Sequence, residues 1–235
     1  MLLYGVALKC YYPIVTLIAS LSHRDPFILP LGDERLLALL AHDEFGRVDY
    51  SDHLMLIRAF NKYVSTLPRQ KQQICRQYYM AAPSMKMIEG IHVQLTFELK
   101  RLKLIPENAR IDDSELNLDS ASWPMIQAAI VADCYPGIGV AKCQSRIKKI
   151  RTSTDPSAVL HPGSVLKRQL QGSRRHESLL KYGDNPEPLI DFMAFQELSQ
   201  IDEGITLQTV TATTSVHVVL FSGSSRMEKV IIRDF

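Results

Sequence analysis

With 235 residues, 46% of them hydrophobic and 22% charged, the chain has the composition of a folded protein with material for one large domain or two small ones, which excludes disorder throughout. A formal net charge of +2 excludes a general basic excess, so any binding of nucleic acid has to come from local clusters of Lys and Arg. No apolar run approaches the roughly 20 residues that span a bilayer, so no membrane is expected as a partner.

The N-terminal "MLLYGVALKC" has no basic lead and no small-residue cleavage site. The expectation is a reducing, intracellular setting, cytoplasmic or nuclear. The next run, "YYPIVTLIASL", is interrupted by Pro13 and flanked by polar residues, and it reads as core. Two polar knots then stand against apolar runs: Arg24-Asp25-Pro26 in "LSHRDPFILP", and Ser51-Asp52-His53 in "SDHLMLIRAF". Asp52 and His53 could be an acid–base pair, but neighbours in a helix diverge by about 100°. A helix N-terminus already employs polar side chains on its free N–H groups, so the second knot reads as scaffold, while the first stands open between a site and a turn.

Helical spacing dominates up to residue 115. "DERLLALLAHDEF" places Leu36, Leu37, Leu39 and Leu40 on an apolar helix with Asp33 as N-cap. Its leucines read as bundle core, with an exposed docking surface as the alternative. "SDHLMLIRAFNKYV" begins with Ser51 as N-cap and sets Leu54, Ile57 and Phe60 close to one face. "SMKMIEGIHVQLTFELKRL" aligns Met85, Ile88, Ile91, Leu95 and Leu99, with Ser84 as its cap. "SASWPMIQAAIVADCYPGI" adds one more helix, ended by the Tyr135-Pro136-Gly137 turn.

After that the rhythm becomes strand-like. "GVAKCQSRIKKIRT", "AVLHPGSVL", "LIDFMAFQEL", "ITLQTVTATT" and "VHVVLFSG" are short, rich in β-branched residues and separated by turn formers. With no crossover helices between them, the five strands fit a small barrel of the oligonucleotide-binding (OB) type better than a βαβ sheet. "KRQLQGSRRHESLLKYGDNPEP" is too polar for a buried strand and reads as a long exposed loop. The expected class is α+β: a helical bundle over residues 1–135, then a β-barrel over 136–235.

The cysteines at 10, 75, 134 and 143 and the seven histidines are dispersed, and no set has metal-ligand or catalytic spacing. Buried free thiols are expected, with no metal. Nor does a Gly-x-x-x-x-Gly-Lys-Ser/Thr loop occur, and the "DER" and "HDEF" acidic groups lie in a helical stretch rather than after a strand. No enzyme activity is expected of this chain alone.

The order of "PIVTLIASLSHRDPFILPL", "SDHLMLIRAF", "SMKMIEGIHVQL", "AAIVADCYPGI", "VLHPGSV", "FMAFQEL" and "VTATT" followed by "VVLFSG" resembles the C-terminal half of DEAH/RHA-type RNA helicases over essentially the whole chain. The resemblance implies a helical ratchet-like, helicase-associated domain followed by an OB fold. ATP and Mg would be cofactors only of a helicase core upstream, and those core domains would be partners within a longer chain. Tyr11-Tyr12, Phe192, Ser215 and His217 stand where the family usually has other residues, the drift expected of a helicase relative relieved of unwinding.

Two functions follow. As the accessory half of a helicase, the chain would grip single-stranded RNA through Lys142, Arg146, Lys148, Lys149 and Arg151 of the first strand, with Lys167, Arg168, Arg174, Arg175 and His176 as a second group. On a strand Arg146 and Lys148 share one face and Lys149 and Arg151 the other; a solvated basic edge is the bland alternative for each. As an inactive platform, the chain would instead bind a protein partner in the regulation of RNA translation or stability, through "LGDERLLALLAHDEF" or "RRHESLLKYGDNPEP".

Overall fold

The computed structural model describes residues 1–46, 49–141, 149–171, 192–201 and 204–222. They form a helical region followed by a small, curled four-stranded β domain. The chain divides into two compact units, one of Met1–Arg47 with Leu54–Ala129, the other of Val48–His53 with Ile130–Phe235.

In the first unit α1 (Leu2–Ala7) packs on α2 (Tyr11–Leu21). The approach is close because α1 offers Gly5, where an added Cβ would stand 2.8 Å from that of Ile14. Pro13 costs α2 nothing, since it sits in the first turn, where no intrahelical donor is needed. The rest of α2 is buried almost all round: Tyr11, Ile14, Val15, Leu17 and Ala19 are inaccessible. Its polar groups are therefore paired with α6 (Ala82–Arg101), the Tyr11 hydroxyl donating to Thr96 Oγ1 at 3.0 Å and Thr16 Oγ1 meeting His92 Nε2 at 3.1 Å. α6 starts two residues before Ser84 with Pro83 in its first turn, so the serine expected as a cap is instead a buried residue within the helix.

Between α2 and α3 (Glu34–Gly46) the chain turns at Asp25, whose carboxylate accepts from the Phe27 N–H at 2.9 Å. Pro26 O and Ile28 N then bond to Ala81 and Tyr79, fixing the turn to the body. α4 (Asp52–Ser65) begins directly after Ser51, and from Leu54 to Tyr63 it buries Leu54, Ile57, Phe60 and Tyr63 at helical spacing. α5 (Lys71–Gln77) is short, and α7 (Trp123–Cys134) crosses the division between units at Ala129.

The second unit is built on a sheet of order β1-β3-β4-β2: β1 (Ile138–Val140), β2 (Val159–Leu160), β3 (Phe192–Ile201) and β4 (Gly204–Thr213). β3 and β4 form a long antiparallel hairpin, β1 is antiparallel to β3, and β2 runs parallel to β4. Ile150, Leu160, Leu166, Met193, Phe195, Leu207 and Val210 fill its core, joined by Tyr50 from the excursion at 48–53. Gly137 allows the close pass after α7, because a Cβ there would lie 2.5 Å from the Phe195 carbonyl oxygen.

Besides the Ser84 cap, other expectations change. "VHVVLFSG" is not a strand: Ser215–Phe221 form helix α9, with Thr214 capping it by accepting from the His217 N–H. "AVLHPGSVL" contributes only the two residues of β2 before turning into α8 (Val165–Gln171), which also absorbs the first residues of the segment expected to be a loop. Leu36, Leu37 and Leu40 are exposed rather than core, since α3 rests on the body through Ala38, His42 and Phe45.

Candidate nucleic-acid interface

A buried polar staple holds the second unit together, and it starts from residues 51–53. The Asp52 carboxylate lies at the start of α8, where Oδ1 accepts from the Val165 N–H and Oδ2 from Ser164 Oγ, both at 2.8 Å. A carboxylate there satisfies a free amide and meets the positive end of the helix. Its Oδ2 also accepts from the Val210 N–H of β4 at 2.9 Å. That amide follows Thr209, whose φ of 50° lies in the left-handed region, and the β3–β4 ladder skips the Gln196–Thr209 pair. Burial pushes the Asp52 carboxyl above its ordinary range, while the bonds from Val210, Ser164 and Val165 and the charge of Arg168 pull it back.

Ser51 and His53 both seize Thr211: Ser51 Oγ and His53 Nδ1 each lie 2.7 Å from Thr211 Oγ1. The Tyr50 carbonyl accepts from the Ala212 N–H at 2.9 Å, so Tyr50–Ser51 runs beside the end of β4. The three side chains of the knot thus turn into the β unit, where burial leaves His53 neutral, its pKa pulled down to about 3. No acid–base pair forms, because Asp52 and His53 point to different partners.

This scaffold carries the basic candidates. Lys149 is exposed and Arg151 half-buried on either side of Ile150, which is only 1% exposed, so the two cations share the outer face of an extended segment. The segment is held by paired backbone bonds between Val140 and Arg151 (2.7 and 2.9 Å) and by Ile150 N donating to Ala158 O at 2.7 Å. Lys167 and Arg168 are half-buried on α8. The Arg168 guanidinium donates to the Gly163 carbonyl at 2.7 Å and so closes the turn that α8 starts from. Lys142, Arg146, Lys148, Arg174, Arg175 and His176 lie outside the described residues.

Thr211, Ser164 and Val210 are the anchors that sequence reasoning did not find. Their partners lie more than 100 positions away along the chain, so no local spacing marks them. Among the described residues no group of three or more His, Cys, Asp or Glu side chains could hold a metal. Cys10, Cys75 and Cys134 are buried free thiols, and burial pushes Cys10 up to about 11 and Cys134 to about 12. Cys143 lies outside the described residues, and among them no helix is long and apolar enough to cross a membrane.

Comparison with known proteins places these features. Residues 1–56 match the helicase associated domain (HA2), ratchet-like. The chain is 28% identical over 172 residues to ATP-dependent DNA/RNA helicase DHX36 of Homo sapiens, covering 70% of this chain and 17% of that protein. It is 30% identical over 166 residues to DExH-box ATP-dependent RNA helicase DExH3 of Arabidopsis thaliana, with 70% and 13% covered. To the protein benign gonial cell neoplasm of Drosophila melanogaster it is 23% identical over 182 residues, with 71% and 15% covered. The chain therefore spans about a sixth of the length of such relatives.

Proposed function

The chain carries a ratchet-like helicase-associated domain and is homologous to the C-terminal region of DEAH-type helicases, and from that premise we propose that it is an accessory region that grips single-stranded RNA beside a helicase core. The observation that carries this reading is the pair Lys149 and Arg151, aimed outward from a segment whose middle residue, Ile150, is locked into the core of the second unit. Cations held on a rigid backbone bind a phosphate chain with less loss of freedom than cations on a free loop. We take the β unit to be an OB-type barrel in this role. The sugar-phosphate backbone would run along the Lys149–Arg151 face, with Lys167 of α8 contributing to the same electrostatic field.

The grip is non-specific in chemistry: two or three cations neutralise phosphates and release counterions, and nothing in them reads a base. The staple at Asp52 serves the grip indirectly. It fixes the start of α8, and with it the backbone from which Lys167 projects.

Fluorescence anisotropy with a labelled single-stranded RNA, titrated at several salt concentrations, tests the proposal. Lys149→Glu with Arg151→Glu is expected to weaken binding roughly tenfold at moderate salt and to lower the slope of log affinity against log salt by about 0.7 for each phosphate no longer neutralised. Lys62→Glu, an exposed charge on α4, is the control and should change neither. An unchanged slope in the double variant would sink the reading.

A further inference from the structure

Lys149 and Arg151 belong to a short arm that folds back on itself after Thr152. The Thr152 N–H donates to the Asp155 carbonyl at 2.8 Å, and the Asp155 N–H donates to Thr152 Oγ1 at 2.9 Å. On the returning limb the Ser157 N–H donates to Asp155 Oδ1 at 2.7 Å, and the Ala158 carbonyl accepts from Ile150. Burial alternates along the outgoing limb: Lys149 is exposed, Ile150 buried, Arg151 half-buried, Thr152 buried and Ser153 exposed. In an extended segment that alternation puts Lys149, Arg151 and Ser153 on one face, each about 7 Å from the next. The Ser153 hydroxyl therefore continues the line of the two cations.

Four hydroxyl residues stand at this turn, Thr152, Ser153, Thr154 and Ser157, and their surroundings separate them. Thr152 is buried, with its hydroxyl donating to the Asp155 carbonyl at 3.1 Å, and Thr154 Oγ1 lies 3.5 Å from that same hydroxyl. Ser157 follows Asp155 and Pro156, an acidic lead. Ser153 is exposed, makes no hydrogen bond among the described residues, and has Arg151 two residues and Lys149 four residues before it. A kinase that selects basic residues ahead of its target reads that charge pattern. A phosphoserine there would carry a charge of about −1.5 to −2, enough to offset both cations, and its oxygens would accept from the guanidinium two residues away. It would stand where the face holds a phosphate of RNA.

We propose that Ser153 is a phosphorylation site for a Ser/Thr kinase of basic preference, and that phosphate there releases RNA from the Lys149–Arg151 face. This regulation rests on the RNA reading of the same face. In the transfer a bond forms between Ser153 Oγ and the γ-phosphorus of ATP, the bond from that phosphorus to the ADP oxygen breaks, and the hydroxyl proton passes to the kinase's base.

The test treats the whole chain with ATP and a recombinant Ser/Thr kinase of basic preference, and maps the phosphate by mass spectrometry of peptides. Binding of labelled single-stranded RNA is then followed by anisotropy at several salt concentrations. Phosphate is expected on Ser153, and Ser153→Ala should lose it while keeping its RNA affinity. The phosphorylated chain should bind RNA roughly tenfold more weakly with a lower salt slope, and Ser153→Glu about threefold more weakly. Gln73→Glu, an exposed charge added on α5, should match the unmodified chain. Phosphate on Thr154 or Ser157 in place of Ser153, no phosphate at all, or full RNA affinity with Ser153 phosphorylated would overturn the proposal. Phosphate mapped to Ser153 in a chain whose RNA binding ignores Lys149→Glu with Arg151→Glu would show that the RNA reading itself has failed, and the release step with it.

Discussion

His53 is inaccessible to solvent, with Nδ1 on the Thr211 hydroxyl and Nε2 buried without a hydrogen-bond partner among the described residues, and burial lowers its pKa from 6.5 to about 3. His92, among Tyr12, Phe60 and Thr16, is lowered to about 4 by burial, with Glu89 pulling it back. Both folded values lie below the unfolded one, so between pH 6.5 and these values the unfolded chain takes up protons that the native chain refuses. Stability is complete above pH 6.5 and falls as pH falls, by up to about 1.4 kcal/mol per pH unit for each histidine. Asp52 has the opposite sign: its raised carboxyl favours the native state in acid and loses that contribution as pH rises through the folded value. Urea denaturation at pH 7 and pH 5 should show the fall, and His53→Asn, which keeps a group able to reach Thr211, should reduce it. An identical pH slope in the variant would show that His53 does not titrate between the two states.

At the scale of elements, α9 shows a cap overruling propensity. Its valines favour a strand, but Thr214 accepts from the His217 N–H and its hydroxyl lies 2.8 Å from His217 Nδ1, which closes the first helical turn. The helix then sends Val218 into the core and leaves Val216, Val219 and Leu220 at 62%, 68% and 67% exposure. A strand would instead have placed Val216 and Val218 on one face. Val218→Ala is therefore expected to cost about 2 kcal/mol, while Val219→Ala stays within about 0.5 kcal/mol. Chemical denaturation of the two variants decides, and equal losses would contradict the helical assignment. α3 teaches the same lesson from the other side, because its leucine periodicity is helical but does not say which side of the helix meets the body.

At the scale of the molecule, the two units differ in what they can do. The first is helical and matches the ratchet-like domain over its beginning, while the second holds the described basic candidates on a sheet and a short helix. With no phosphate-cradling loop in the sequence, the purified chain is expected to show no ATP turnover, with RNA or without it. A release assay for inorganic phosphate checks this, and RNA-stimulated turnover that survives repurification would refute it. That outcome would not touch the proposed RNA grip, which needs cations and a rigid backbone rather than a nucleotide site.

The sequence by itself determined the change from a helical to a strand-rich half, the helices α3, α4, α6 and α7, and the kinship carried by ordered motifs. Those signals are local: apolar spacing of three or four, caps, and β-branched runs between turn formers. Only the tertiary structure decided where Ser51, Asp52 and His53 belong. They stand at the start of a helix whose later turns pack in the first unit, yet their side chains close hydrogen bonds with residues more than 100 positions away in the second. It also decided that Leu36, Leu37 and Leu40 face outward, since Ala38, His42 and Phe45 supply an equally apolar side and Phe27 and Tyr78 are there to receive it. Periodicity tells a helix that it has faces; which of them is buried depends on what the rest of the chain brings against it.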